Sequence, residues 1–159
     1  MTEVVTLADY PEFIPVVAQW NWSEWSDLLP VASCAAFAAG LHAHTRRDGI
    51  PITFLTLEDG TPVGTSSLLT DDLETRPELT PWLASIYVVP ARRGSGLGTR
   101  LVQHAVAAAR TFGIATLYLN TPAQQTFYER LGWEFLETTT FRGRAITIMR
   151  QRLAPRLSP

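Results

Sequence analysis

One short segment constrains the fold of this chain more than any other. Residues 88–102, VVPARRGSGLGTRLV, carry three glycines among arginines, directly after WLASIYVV (82–89), which predicts a buried central strand. The residues after the glycines have the apolar spacing of one helix face, and this predicts a helix over 97–112. Its apolar positions are Leu97, Leu101, Val102, Ala105, Val106 and Ala109. A strand that turns through glycines into a helix indicates an α/β fold and a phosphate site, because the first N–H groups of a helix lack partners.

The segments before this unit predict a strand, two helices and a hairpin. EVVTLAD (3–9) is typical of a short strand, and Pro11 suits the first turn of a helix that runs to about Trp20. The stretch 31–47 is apolar nearly all round in its first half, so we expect a second helix that is largely buried. Asp59-Gly60 is a favoured pair for the turn of the hairpin.

The segments after the unit predict a strand, a short helix and a second hairpin. ATLYL (115–119) is typical of a buried strand. Thr121 and Gln124 have the spacing of a capping box, and Gly132 is placed to end the helix that the box begins. The last hairpin turns at Arg142-Gly143.

The length and the order of these elements define the expected architecture. A chain of 159 residues suits one core, so we expect a single domain over residues 1–153 and a frayed tail at 154–159. The order is βααβββαβαββ. This predicts an α/β protein of the α+β type, with a mixed and mostly antiparallel sheet.

The glycine segment does not fit two common nucleotide-binding loops. A P-loop ends in Gly-Lys-Ser/Thr, whereas Gly98 is followed by Thr99 and Arg100. A Rossmann loop has Gly-x-Gly-x-x-Gly and usually follows the first strand, whereas these glycines are at 94, 96 and 98, after several strands. A plain strand-to-helix turn is the third alternative.

Two signatures together match a known family. Arg93-x-x-Gly96-x-Gly98, preceded by IYVVPA, resembles the coenzyme A signature of the Gcn5-related N-acetyltransferase (GNAT) family. About thirty residues later, YLNTPAQQTFYERLGW (118–133) is similar to the family's tyrosine-bearing helix. The resemblance covers nearly the whole chain. It implies the acyl-CoA N-acyltransferase fold with about four helices, and direct transfer of acetyl from acetyl-CoA to a primary amine of a small molecule or a peptide N-terminus. It also implies a homodimer.

The resemblance implies a role for several groups of residues. Backbone groups of Ile86, Tyr87 and Val88 are expected to pair with the pantetheine arm, and an N–H of Tyr87 or Val88 is expected to stabilise the oxyanion. Tyr128 is the expected general acid. The expected pyrophosphate and cofactor contacts are Arg93, Gly94, Ser95, Gly96, Leu97, Gly98 and Thr99, with either Asn120 or Thr121.

The base and the acceptor site are less defined by the sequence. The predicted central strands contain no carboxylate or histidine, so the candidate bases are Asp71, Asp72 and Glu74, in the segment leading into the central strand. An amine that arrives neutral would need none. The family's acceptor site lies between the first two helices and the sheet. There we expect Trp22, Trp25 and Asp72 to contact a cationic amine. Helical spacing turns the tryptophans in different directions, so we expect a helix break near Asn21.

Composition and charge exclude several classes of function. A formal net charge of −2 argues against broad nucleic-acid binding. No apolar stretch approaches the ~20 residues that span a membrane, and the first ten residues lack the features of a signal peptide. We therefore expect a cytoplasmic protein. Cys34 is the only cysteine, and we interpret it as core packing. His42 and His44 point apart on a helix, so we expect no metal.

Two rival functions fit the same residues. One is a non-catalytic domain of the same fold that binds coenzyme A as a sensor. The other is a toxin-like acetyltransferase of aminoacyl-tRNA, which the net charge disfavours.

Overall fold

The computed structural model describes residues 1–153, and the tail expected at 154–159 lies outside them. The predicted order of strands and helices is confirmed, with short 3-10 turns between some elements. The elements are β1 (Thr2–Thr6), α1 (Ile14–Trp25), α2 (Cys34–Leu41), β2 (Ile52–Glu58), β3 (Thr61–Leu69), β4 (Trp82–Val88), α3 (Leu97–Thr111), β5 (Thr116–Thr121), α4 (Gln125–Arg130), β6 (Glu134–Phe141) and β7 (Arg144–Arg152).

The strands form one seven-stranded sheet in the order β1-β2-β3-β4-β5-β7-β6. Every neighbouring pair is antiparallel except β4 and β5, which are parallel. Both predicted hairpin turns are present. Asp59-Gly60 has φ values of 50° and 82°, and Arg142-Gly143 has φ values of 51° and 77°, as a two-residue turn with two left-handed residues requires. The mixed, mostly antiparallel sheet is therefore confirmed.

The sheet opens between its two parallel strands. β4 and β5 are in register only at Trp82 and Tyr118, near the start of each strand. A bulge then interrupts β4, because Thr65 of β3 lies opposite Tyr87 while Ser67 lies opposite Ala84. A bulge bends its strand and re-aims the side chains around it. The carboxyl ends of β4 and β5 therefore diverge, and a cleft opens between them.

Each face of the sheet has its own core. The helix α3 covers one face, and all six of its predicted apolar positions are buried. The helices α1 and α2 cover the other face above β2. A smaller cluster around Trp82 and Ile148 lies beneath the β3–β4 connection. These layers surround the divergence of β4 and β5 and fix its position in the fold.

The structure corrects two expectations about the first helices. The helix α1 begins at Ile14 and runs through Trp25, so the break expected near Asn21 is wrong. Asn21 is buried, and its side-chain amide donates to the Val17 carbonyl one turn back at 2.9 Å, so the residue stays within the helix. The helix α2 is shorter than 31–47 and only Leu41 of it is buried, because its alanine-rich outer face has nothing packed over it among the described residues.

The expected capping box is also wrong. Thr121 is the last residue of β5, where it pairs with Thr147 of β7, and α4 begins at Gln125. The Thr121 hydroxyl still accepts a hydrogen bond from the Gln124 N–H at 3.0 Å. The sequence pattern predicts this hydrogen bond correctly. Pairing with β7, however, extends β5 through Thr121, so α4 begins later in the chain than predicted. Gly132, with φ of 91°, follows the end of α4 as predicted.

Candidate functional site

A cavity of about 670 Å³ lies along the divergence of β4 and β5. At one end it reaches the glycine loop, in the middle it passes α4, and at the other end it reaches the residues that end α1. Most of the predicted site residues line it. They are Trp25, Asp72, Ile86, Tyr87, Val88, Arg93, Gly94, Gly96, Leu97, Gly98, Thr99, Asn120, Thr121 and Tyr128.

The glycine loop leaves open space above the first turn of α3. Gly94 and Gly96 have φ values of 78° and 87°, which glycine adopts without strain. A Cβ built on either would find no atom within 4 Å. Because the unpaired N–H groups of α3 begin at this point, the space suits an anion such as a pyrophosphate. Gly98 differs, since its Cβ would lie 3.6 Å from Phe127, an ordinary packing distance.

Arg93 ties the loop to β4. Its Nε donates to the Val88 carbonyl at 2.9 Å, and its guanidinium lies 5.4 Å from the centre of the Tyr87 ring. Trp20 of α1 stacks on the same ring at 5.3 Å. The Ser95 hydroxyl donates to the Arg92 carbonyl, and Ser95 is not among the described residues that line the cavity. Arg93 and Ser95 therefore stabilise the conformation of the loop through hydrogen bonds to backbone carbonyls.

The direction of the β4 backbone separates the two predicted oxyanion donors. The Val89 N–H donates to the Val63 carbonyl of the β3 side at 2.9 Å. Backbone groups alternate in an antiparallel ladder, so the N–H of Val88 points away from β3 and that of Tyr87 points toward it. Ile86 lies in the bulge and has no register partner on β3. The N–H of Val88 is therefore available to the cleft, and that of Ile86 has no partner on β3.

Tyr128 of α4 projects into the middle of the cavity. Phe127 and Trp133 both meet its ring edge to face, with ring centres 5.0 and 6.2 Å away. Burial raises the pKa of the Tyr128 phenol to about 12, so the group stays protonated at neutral pH. No hydrogen bond joins its hydroxyl to another residue of the described range. The phenol is therefore a free proton donor inside the cleft.

Asp72 and Asn120 face each other across the cavity wall. The Asn120 side-chain amide donates to Asp72 Oδ2 at 2.8 Å. The Asp72 side chain is exposed to the open cleft. Desolvation by the surrounding walls raises the pKa of its carboxyl to about 6, although the Asn120 hydrogen bond acts to lower it. Of the two alternatives at the end of β5, Asn120 presents its side chain to the cleft. Thr121 is buried and its hydroxyl caps the next turn.

The end of α1 supplies the remaining wall. Glu24, Trp25, Leu28 and Leu29 line the cavity there. Of the three tryptophans of α1, Trp20 packs on Tyr87 and Trp25 reaches the cavity. Trp22 and Asp71, both predicted to be near the acceptor, do not belong to the lining among residues 1–153.

The turn between β6 and β7 flanks this end. Arg144 lies 3.4 Å from Asp27, and Arg142 lies 3.4 Å from both Glu74 and the Leu29 carbonyl. These contacts hold the turn against the segment that follows α1. Arg144, which lines the cavity, is thus paired with Asp27, whereas the lining carboxylates Glu24 and Asp72 have no arginine at ion-pair distance within the described part of the chain. The acceptor end of the cavity therefore combines unpaired carboxylates with apolar side chains.

Sequence reasoning missed several of these residues. Glu24, Phe141 and Arg144 line the cavity, although each is far from the glycine loop in sequence. Phe141 and Arg144 flank the predicted turn at Arg142-Gly143. Their position beside this turn is the only local sequence feature that could have indicated a place in the cavity wall. The Asp72–Asn120 contact joins residues 48 positions apart.

The described residues offer neither a cluster of metal ligands nor a membrane-spanning helix. No three of their histidine, cysteine, aspartate and glutamate side chains are grouped so as to hold a metal ion. None of their helices has the length and apolar character needed to span a bilayer. Cys34 is partly buried and packs against the core beneath α1 and α2.

Comparisons with known proteins give a consistent result. The model of the acetyltransferase (GNAT) family matches residues 14–133. An acetyltransferase of the GNAT family from Streptococcus pneumoniae is similar in structure, with a TM-score of 0.72, 17% identity and coverage of 97% of this chain and 100% of that one. An aminoglycoside 6′-N-acetyltransferase complexed with coenzyme A has a TM-score of 0.73, 15% identity and coverage of 98% and 99%. An acetyltransferase from Streptococcus agalactiae has a TM-score of 0.69, 20% identity and coverage of 96% and 98%. No curated protein sequence matches the chain.

Proposed function

The chain belongs to the acetyltransferase (GNAT) family, and from that premise we propose that it transfers the acetyl group of acetyl-CoA directly to the primary amine of a small cationic molecule. One observation carries the proposal. A continuous cavity joins the anion-binding glycine loop to a protonated phenol at Tyr128 and to a carboxylate at Asp72.

The coenzyme would enter from the side of the glycine loop. Its pyrophosphate fits the open space above Gly94 and Gly96, where no Cβ intrudes and the first N–H groups of α3 are unpaired. Its pantetheine arm fits the gap between β4 and β5 as an added strand along the backbone of Ile86 to Val88. The thioester then lies near Tyr128.

The reaction needs one bond to form and one to break. The neutral amine nitrogen attacks the thioester carbon, the new C–N bond forms, and the C–S bond breaks to release coenzyme A. The carbonyl oxygen becomes negative on the way, and we expect an N–H of the β4 backbone, that of Val88 or Ile86, to stabilise that charge. Donors that are already oriented lower the barrier because they need no reorganisation.

Asp72 accepts the proton of the amine. With a pKa of about 6, its carboxyl is mostly ionised at pH 7 and is a stronger base than an ordinary aspartate. The hydrogen bond from Asn120 holds Oδ2, and Oδ1 stays available for the substrate.

Tyr128 donates to the departing sulfur. A phenol with a pKa of about 12 does not ionise by itself at neutral pH, so it is always in the donor form. The thiolate is formed in the same cleft, and burial raises the pKa of a thiol as it raises that of a phenol. Because both pKa values move in the same direction, burial of Tyr128 does not by itself oppose proton transfer from the phenol to sulfur.

The residues at the acceptor end favour a small cationic amine. Arg142 and Arg144 hold the β6–β7 turn against the segment that follows α1, so this turn limits the space for a longer acceptor. The unpaired carboxylates of Glu24 and Asp72 attract a cation, and Trp25 offers an aromatic face. Two proteins of similar structure are named as acetyltransferases of aminoglycosides, and this name is consistent with a small-molecule amine as acceptor.

An amine-panel assay tests the proposal. Acetyl-CoA is incubated with the enzyme and each of a series of amines, and free thiol is measured together with the acetylated product. We expect turnover with small cationic amines, and a loss of turnover in Tyr128→Phe. A protein that binds acetyl-CoA but never releases thiol with any amine would be a coenzyme A sensor. Turnover that appears only with aminoacyl-tRNA would support the toxin-like alternative.

A further inference from the structure

We propose that Trp133 is a positioning residue for the reaction: its indole ring, packed edge to face against Tyr128, holds the phenol hydroxyl in the cleft. The inference rests on the proposed function, because it assumes that Tyr128 protonates the departing sulfur. It assigns a task to a residue of the core that does not line the cavity within the described range.

The backbone brings the two rings together. Gly132 adopts a φ of 91° and reverses the chain after α4. The Trp133 N–H then donates to the Tyr128 carbonyl at 3.1 Å. This hydrogen bond places the backbone of Trp133 beside Tyr128. The ring centres are 6.2 Å apart and the ring planes meet at 71°. Trp133 is only 3% exposed, so its ring is fixed by the core around it.

Tyr128 depends on such packing for its direction. Its hydroxyl has no hydrogen-bond partner among the described residues, so no polar contact fixes its position. Phe127 supports the ring from another side, with ring centres 5.0 Å apart at 74°. Two edge-to-face neighbours restrict the orientation of the phenol ring, and reacting groups must be held to within a fraction of an ångström for efficient transfer.

The ring of Trp133 matters for this role, and its N–H does not. The indole Nε1 is buried and has no hydrogen-bond partner among the described residues. A buried donor without a partner destabilises the fold, so the indole nitrogen does not explain why tryptophan is present. Phenylalanine would keep an aromatic edge against Tyr128, whereas leucine would leave the phenol free to tilt.

A double-mutant cycle tests the proposal, with kcat and both KM values measured for Trp133→Leu, Tyr128→Phe and the combined variant. We expect Trp133→Leu to lower kcat by about 10- to 100-fold and to change the KM for acetyl-CoA by less than about twofold. In the Tyr128→Phe background the same substitution should change kcat by less than about twofold, since no proton remains to be positioned. Trp133→Phe should stay within about threefold of wild type.

The outcomes separate this inference from the proposed function. If the effects of Trp133→Leu and Tyr128→Phe multiply, or if Trp133→Phe is as slow as Trp133→Leu, the positioning role is wrong while the general acid stands. If Tyr128→Phe is as fast as wild type, both are wrong. Thermal unfolding with and without acetyl-CoA shows whether each variant is folded. If Trp133→Leu does not fold, Trp133→Met takes its place in the cycle, with the same expected and contradicting results.

Discussion

Replacing Gly96 with alanine should prevent acetyl-CoA from binding, and Gly113 provides a matched control. The two glycines have φ values of 87° and 80°, and a Cβ on either meets no atom within 4 Å. Only Gly96 lies in the loop before α3, whereas Gly113 follows its other end. Because the backbone strain is equal, any difference in coenzyme binding between the two variants comes from the place where the methyl group projects.

The expected magnitudes follow from this geometry. An L-residue in the left-handed region costs about 1–2 kcal/mol. For a domain of this size 1 kcal/mol shifts the midpoint of thermal unfolding by about 2–4 °C. Both variants should therefore unfold about 2–8 °C below wild type. Acetyl-CoA at a hundredfold excess over its dissociation constant stabilises the fold by about 2.7 kcal/mol, which is a rise of about 5–11 °C.

Thermal unfolding followed by fluorescence, with and without acetyl-CoA, is the assay. Wild type and Gly113→Ala should both show the full rise. Gly96→Ala should show little or none, because its methyl group occupies the space proposed for the pyrophosphate. Gly98→Ala should bind normally, since its Cβ only meets Phe127 at a packing distance. Equal rises in Gly96→Ala and Gly113→Ala would refute the assignment of the loop.

Four further predictions concern the chemistry, the stability and the acceptor. Tyr128→Phe should lower kcat by about 10- to 1000-fold and leave the dissociation constant of coenzyme A unchanged, as single-turnover kinetics and calorimetry would show. With the pKa of Asp72 raised to about 6, wild-type kcat/KM should fall about tenfold from pH 7 to pH 5. Asp72→Asn should lose this fall at acid pH, and the control variant Asp71→Asn should keep it. Desolvation makes the ionised carboxyl of Asp72 unfavourable in the folded protein, so the contribution of this group to the free energy of unfolding falls as pH rises from about 4 to 6. At pH 7.5 the midpoint of thermal unfolding of Asp72→Asn should therefore be no lower than that of wild type. Glu24→Gln should raise the KM of a cationic acceptor and reduce its dependence on ionic strength, with the KM of acetyl-CoA unaltered; a preference of wild type for acidic acceptors would contradict the acidic cleft.

Local features of the fold were predictable from the sequence because they depend on nearby residues. The buried stripe of α3 follows from apolar spacing, and the turns at Asp59-Gly60 and Arg142-Gly143 follow from pairs that tolerate positive φ. Where a local signal competed with a long-range contact, the prediction was wrong. Thr121 was expected to begin a helix, but pairing with Thr147 keeps it in a strand.

The candidate site divides in the same way. The coenzyme half was predictable because the glycine loop, the strand before it and the helix after it are contiguous in the chain. A single stretch of sequence therefore contains the residues that define it. The acceptor half depends on distant segments. Asp71 and Asp72 are adjacent and equivalent in sequence, and only packing against Asn120 brings Asp72 to the cleft.

The sequence by itself determined the order of the elements, the glycine loop and the tyrosine helix, since spacing and turn chemistry act over a few residues. Only the tertiary structure decided where the cleft opens and what lines its acceptor end. The cleft exists because β4 and β5 are in register only at Trp82 and Tyr118 before a bulge separates them. The side chains that face the cleft are decided by the alternation along the strands, by the direction of the helices and by the β6–β7 turn that Arg142 and Arg144 hold in place. Such contacts join residues far apart in the chain, and their free energy is gained only after the sheet has formed.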